Sequence, residues 1–312
     1  MRPPDRPSGQ IAELQLARPG KALRIYLLRS FLAPVTSARW TRFIRTLHAA
    51  LGVAPPIARV LGKPVRAYVH RAFSPRRRLA LLLEHYGRFQ SLFSREFVAG
   101  VCAGETFAAA ALRGRSGNEY GIFLTASVVA LTQREGELAF YFAKGPRGEK
   151  LCRISFCFAK VDGDLAIVVG GIQGPLSVHK REIISATRDL HGLRPKDATF
   201  LAVRALAQAL QIDVVHAVCD ANHVLGRLQD TAKHSRYDAY WLERGGAAGG
   251  PYGFVFAPLE PIGESLDRRE AAKTAIVEGV SALVRRGSAT GSPSVEIVGQ
   301  SGAQRLGRAR LV

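Results

Sequence analysis

Cysteine is sparse in this chain and poorly spaced for chemistry. The four residues, Cys102, Cys152, Cys157 and Cys219, form no C-x-x-C pair and sit in apolar runs. This excludes the common zinc and redox motifs and reads as reduced core thiols. Cys152 and Cys157 are five apart in a predicted strand, so they face opposite sides of a sheet, which argues against a shared metal. Long apolar runs are missing too. The longest, residues 120–132 and 165–178, fall short of the roughly 18 to 20 residues a spanning helix needs, so no transmembrane helix is expected. The first twenty residues carry Pro3, Pro4, Asp5, Pro7 and Glu13 and lack the apolar core of a secretory signal, which reads against export by that route. Three catalytic signatures are also absent: Gly-x-x-x-x-Gly-Lys-Ser/Thr, His-Glu-x-x-His and Gly-x-Ser-x-Gly.

Acids are scarce at one end. Residues 1–80 hold 16 Lys or Arg against 2 acids, a net +14 out of +19 for the chain. Residues 285–312 add five Arg against Glu296, which leaves the body of the protein nearly neutral. An Arg-rich flank attracts phosphate in a salt-dependent way. The partners it suggests are an anionic membrane surface or a lipopolysaccharide precursor, with nucleic acid as a lesser alternative. The basic residues are interleaved with large apolar ones, as in Arg24-Ile25-Tyr26-Leu27-Leu28-Arg29 and Arg39-Trp40-Thr41-Arg42-Phe43-Ile44-Arg45. Both segments read as amphipathic helices, which either lie on a membrane or pack their apolar face on the domain. A cytoplasmic protein is expected, with peripheral attachment to the inner membrane as the variant of that reading.

What is present divides the chain. A hydrophobic fraction of 47% with 22% charged residues is ordinary for a globular protein. Residues 1–20 read as a disordered basic tail and 21–106 as a helical N-terminal portion broken at Pro34, Pro55-Pro56, Pro64 and Pro75. Ser74-Pro75 looks like a cap and first helical residue. From about Phe107 an α+β domain is expected to residue 286, with a flexible basic tail over 287–312. Residues 137–144, 151–161 and 164–169 are aromatic and β-branched and are joined by Gly145-Pro146-Arg147-Gly148 and Asp162-Gly163. They predict an antiparallel meander that ends at Gly170-Gly171-Ile172-Gln173-Gly174, read as a turn leaving the strand. Helices over 177–190 and 195–210 follow, then a strand over 213–219, a short helix over 223–231, a strand over 237–243, a glycine-rich hairpin loop over 245–250, a strand over 252–258 and a helix over 267–286. The fold class is α+β, a mixed and largely antiparallel sheet with flanking helices.

Four motifs in order, Leu82-Leu83-Glu84-His85-Tyr86, Gly170-Gly171-Ile172-Gln173-Gly174, His191-Gly192-Leu193-Arg194-Pro195-Lys196 and Tyr237-Asp238-Ala239-Tyr240-Trp241-Leu242-Glu243, resemble the VirK/YbjX family of bacterial proteins. The resemblance spans about residues 24–285. It implies association with virulence, resistance to cationic antimicrobial peptides, the cell envelope and stress, and it names no reaction. Tyr240 stands where the family pattern has Phe. The element order from residue 137 to 258 is also similar in outline to the core of GNAT-type acyltransferases, in which backbone amides at a helix start hold the pyrophosphate of acyl-CoA. That resemblance implies a phosphate-binding role for Gly192, Arg194 and Lys196. Two departures stand against it: an extra helix before this loop, and no Gln/Arg-x-x-Gly-x-Gly/Ala spacing. The plain alternative is a Gly helix stop followed by a Pro helix start.

For acid–base work, His191, His223, Asp238 and Glu243 lie at predicted element ends, where sites usually form. Tyr237 adds a phenol. The plain alternatives are an Asx turn at residues 220–223 and a packed aromatic strand for Tyr237, Tyr240 and Trp241. His191 sits at a helix stop, and His216 reads as a strand residue of the core. Two functions follow. One is an acyl-CoA-dependent, acyltransferase-like enzyme in an envelope- or stress-linked pathway. The other is a non-enzymatic adaptor whose basic helices bind anionic lipid or another polyanion. A cleft beside Arg194 and Lys196 would favour the first.

Overall fold

The structure is a computed structural model that describes residues 19–145, 148–175, 180–225, 237–260 and 267–288. Both expected tails therefore lie almost wholly outside the described residues. Proline sets the N-terminal helices. α1 (Pro19–Ser30) stops short of α2 (Pro34–Leu51), Pro55 and Pro56 separate α2 from α3 (Ala58–Leu61), and Pro75 opens α4 (Pro75–Leu92). The Ser74 side chain accepts the Arg77 amide there, as the Ser-Pro signal predicts. α5 (Arg95–Ala103) then leads into the sheet.

The sheet has eight strands in the order β1-β2-β3-β4-β5-β6-β8-β7. They are β1 (Thr106–Arg113), β2 (Glu119–Ala126), β3 (Leu138–Ala143), β4 (Lys150–Val161), β5 (Asp164–Gln173), β6 (Val214–Val218), β7 (Ala247–Gly249) and β8 (Gly253–Phe256). Every pairing is antiparallel except β5 with β6. The fold is thus α+β with a mixed, largely antiparallel sheet. The expected meander is β3-β4-β5, and β1 and β2 extend it outward. Asp162 and Gly163 both take positive φ at the β4–β5 turn, the conformation an Asp-Gly hairpin requires.

The parallel crossover from β5 to β6 carries α6 (Lys180–Asp189) and α7 (Pro195–Ala209). α7 packs on β3 and β4, while α9 (Arg268–Gly287) packs on α7 and β1. At that last contact a Cβ on Gly279 would fall 2.2 Å from the Ala109 carbonyl. The N-terminal helices are not a separate layer: one continuous apolar core runs from Trp40 through Phe158 to Val284.

β4 outruns its neighbour, because pairing with β3 ends at Leu138 opposite Phe156. Helix α4 takes over that edge. His85 Nδ1 accepts the Phe158 amide at 3.1 Å and a Glu84 carboxylate oxygen accepts the Lys160 amide at 3.2 Å. This satisfies backbone donors that a missing strand would otherwise leave unpaired.

Several expectations are corrected. Residues 237–243 form α8 (Tyr237–Glu243), not a strand. Tyr237, Tyr240 and Trp241 are the buried residues of this turn, so their i, i+3, i+4 spacing, the helical period, overrode aromatic β-propensity. The 245–250 loop contains the short strand β7. β5 continues through Gly170 and Gly171 to Gln173, with a register shift that leaves Gly170 out of the ladder. Of the helix expected over 223–231, residues 223–225 are a bridge and turn that follow a 3-10 turn at Asp220–Asn222, and residues 226–231 lie outside the described residues.

Candidate functional site

Two glutamates, Glu135 and Glu137, two apart, are buried where the 127–137 segment returns to the sheet. Glu135 and the ring of His223 are each 1% exposed. Glu135 Oε1 accepts from His223 Nε2 at 3.1 Å and from the Gln173 amide nitrogen at 2.6 Å. His223 Nδ1 accepts the Leu225 amide at 3.3 Å, so the proton of the pair sits on Nε2. Glu135 Oε2 is buried with no partner among the described residues. Gly170 and Gly171 make room for this carboxylate. A Cβ on Gly170 would lie 2.0 Å from the Glu135 carbonyl oxygen, and one on Gly171 2.4 Å from its carboxyl group.

Glu137 anchors a second cluster. Its Oε1 accepts from Lys63 Nζ at 2.5 Å and Tyr68 at 2.7 Å, and its Oε2 from Tyr86 at 2.8 Å. Burial pushes the Glu137 carboxyl up, but the Lys63 ammonium, His85 and the Lys63 and Tyr68 hydrogen bonds hold it below its ordinary value. Burial, with Glu137 beside them, raises Tyr68 and Tyr86 well above theirs. Burial also pushes the thiols of Cys102 and Cys152 up to about 12 and about 11, and that of Cys157 well above its ordinary value. None of these three is a thiolate nucleophile.

The candidate residues fall into two groups. Arg194, Lys196, Tyr237, Tyr240 and Glu243 meet where the start of α7 faces α8. Lys196 Nζ lies 3.7 Å from the Tyr240 ring centroid and 6.0 Å from that of Tyr237, and burial lowers its pKa. The Tyr240 hydroxyl donates toward the Lys196 carbonyl and Asp197. Arg194 pairs with Glu243 at 3.1 Å on an exposed face, and Arg244 binds the same carboxylate. The Tyr237 ring also packs, tilted by 44°, 4.8 Å from that of His223, which links this group to Glu135.

The others serve the backbone. Asp220 accepts the Tyr237 and Asp238 amides at the start of α8, and Asp238 accepts the Asp220 amide in return. Gly192 takes φ +88 and donates its amide to the Thr187 carbonyl. That is a helix stop, and it removes this amide from any anion. His216 is buried and packs on Tyr252. Among the described residues no group of three or more His, Cys, Asp or Glu is placed to hold a metal.

A cavity of about 480 Å³ lies beside Arg194 and Lys196. Leu151, Ile183 and Pro195 give it apolar walls, Cys152 and Gly174 line it further, and Arg188, Arg194 and Lys196 give it positive charge. It opens at the N-terminus of α7, which has no side-chain cap, so an apolar chain and an anionic group fit the same space. Reading the sequence missed Glu135, Glu137, Lys63, Tyr68 and Gln173. The available signal was Arg134-Glu135-Gly136-Glu137 in an otherwise apolar stretch, opposite a strand whose two adjacent glycines had no turn to make.

These features define an α+β protein whose sheet is sealed by two buried glutamate clusters and carries a basic-rimmed cavity at a helix start. The family model described as "Protein of unknown function (DUF535)" matches residues 18–268, and the chain belongs to that family. It is 28% identical over 229 residues to "Uncharacterized protein YbjX" of Escherichia coli (strain K12), covering 71% of this chain and 68% of that one. This is the VirK/YbjX family whose motifs the sequence carries. A mutant of a cAMP-binding acyltransferase from Mycobacterium smegmatis is similar at a TM-score of 0.29 and 12% identity, over 60% of this chain and 59% of that one. A likeness that low carries no argument. No described helix is long and apolar enough to cross a membrane.

Proposed function

We propose that the cavity at the head of α7 binds an acyl thioester on a phosphorylated carrier, acyl-CoA being the probe, and that the protein transfers the acyl group to an acceptor. The observation that carries this is the coincidence of apolar walls, three basic side chains and an uncapped helix N-terminus in one space. The walls suit the acyl chain and thioester, and the charges suit the phosphates. In the transfer, the acceptor's nitrogen or oxygen attacks the thioester carbonyl, the C–S bond breaks, and the acceptor's proton balances the departing thiolate.

Of the proposed acid–base residues, Asp238 and Glu243 are occupied by the Asp220 amide and by two arginines. His223 is also occupied, its Nε2 by Glu135 and its Nδ1 by the Leu225 amide, so its part is to position Tyr237, which lies between it and Lys196. Thiol release from acyl-CoA in the presence of an amine or alcohol tests the reading. Release above the blank is expected, and His223→Gln should lower kcat with unchanged CoA affinity. Release at the blank rate for every chain length tried would remove acyl transfer and leave binding alone.

A further inference from the structure

Most of the described large apolar side chains that stand in solvent are concentrated at one place. Leu27, Leu28, Phe31, Leu32 and Val35 occupy the end of α1 and its junction with α2, and Phe31, Leu32 and Val35 are 81%, 84% and 79% exposed. Leu27 and Leu28 lie in the last turn of α1, and Phe31 and Leu32 in the turn that continues it, where the Leu32 and Ala33 amides bond the Arg29 and Ser30 carbonyls, so the four make a short ridge at the tip. The opposite side of α1 is already used, since the Tyr26 hydroxyl bonds Thr41 at 2.9 Å. A contiguous apolar patch of this kind marks a binding surface.

Its surroundings are strongly positive. No acidic residue occurs from Leu14 to Leu83. α1 packs on α3, which carries Arg59. Arg78 and Arg134 reach the neighbouring turn, donating to the Pro64 and Ala67 carbonyls. Burial first, then neighbouring guanidiniums with Arg29 among them each time, lower the pKa of Arg66, Arg78 and Arg134. That mutual repulsion places Arg29, Arg59, Arg66, Arg78 and Arg134 in one field.

We propose that this tip docks on an anionic phospholipid bilayer, with Phe31, Leu32 and Val35 entering the acyl region and the arginines meeting lipid phosphates. A protruding ridge with cations around its base suits a surface that is apolar inside and anionic at its rim. A second copy of the chain would bring two such arginine fields together, which like-charge repulsion opposes. Nucleic acid would satisfy the arginines but leave the aliphatic ridge in water.

The test is co-sedimentation of the full chain with phosphatidylglycerol-containing vesicles and with phosphatidylcholine vesicles, at low and high salt. Binding to the anionic vesicles alone, weakened by salt, is expected. The double variant Phe31→Ser/Leu32→Ser should bind about tenfold or more weakly, since two large apolar side chains no longer leave water. Arg29→Gln should bind about fivefold more weakly. Both changes are at exposed positions. In Phe31→Trp the added indole should shift its emission to the blue on binding, while Trp40 and Trp241, both 0% exposed, stay silent.

Equal binding to neutral vesicles, or full binding by the serine variant, overturns the proposal. So does vesicle binding that appears only after residues 1–17 are removed, which would make that segment the occupant. Self-association lost in the serine variant, or RNA binding without vesicle binding, assigns the surface to those partners instead.

Discussion

Glu137 offers a perturbation whose sign can be worked from its contacts. Glu137→Gln keeps the shape and one acceptor oxygen for the two donating tyrosines, Tyr68 and Tyr86, but removes the charge facing Lys63 in a site where both side chains are under 5% exposed. A buried ammonium left without its partner costs about 3–5 kcal/mol. The double variant Lys63→Met/Glu137→Gln removes the orphaned charge as well, and its Gln can still accept from one tyrosine and donate to the other. It should fall within about 1 kcal/mol of wild type, recovering most of what the single variant loses. Urea unfolding at neutral pH gives the free energies, and the single variant should melt roughly 6 to 15 °C lower. Because the native Glu137 carboxyl is held below its ordinary pKa, its contribution is present above the unfolded-chain value of about 4.3 and is lost as pH falls through the native one. The gap between wild type and Glu137→Gln should therefore close in acid. A double variant as unstable as the single one would refute the argument, as would a single variant within about 1 kcal/mol of wild type.

Other outcomes follow from the same packing. Gly170→Ala sets a Cβ against the Glu135 carbonyl, and Gly171→Ala sets one against its carboxyl group, while Gly174 has open space. Thermal melts should show a loss of about 1–3 kcal/mol for the first two and little for Gly174→Ala. Burial lowers His85 to about 4, so its neutral ring contributes stability above the unfolded value of about 6.5 that is lost as pH falls toward 4. His85→Asn, which keeps an acceptor for the Phe158 amide, should flatten that part of the pH–stability curve by up to about 3 kcal/mol. Asp220→Ala should cost about 1 kcal/mol in the same melts, because it uncaps α8.

The meander was legible because strand period, turn chemistry and composition agreed over β3, β4 and β5. The Ser74-Pro75 and Pro195 helix starts were legible for the same local reason. α8 was not, because a seven-residue helix shows barely two turns of period and its aromatics favour a strand. The buried clusters were hidden more deeply. Glu135 meets His223 from 88 residues away, and Glu137 meets Lys63 from 74, and no local pattern encodes such pairings. The glycines at 170 and 171 carry a trace of it: their freedom suggests a turn, whereas their use is the space left for a carboxylate.

The measurement that bears most directly on the proposed function is calorimetric titration of the full chain with CoA, beside the variant Arg194→Ala/Lys196→Ala and thermal melts of both. Both side chains line the cavity at the start of α7, and one is already paired with Glu243 while the other lies over Tyr240. Saturable binding to the intact protein is predicted, weakened by about 1–3 kcal/mol in the variant, the range for charge-assisted hydrogen bonds, with little change in melting temperature. An intact, folded protein that takes up no CoA, or a variant that binds it as tightly as wild type, would contradict the assignment of this cavity to an acyl thioester.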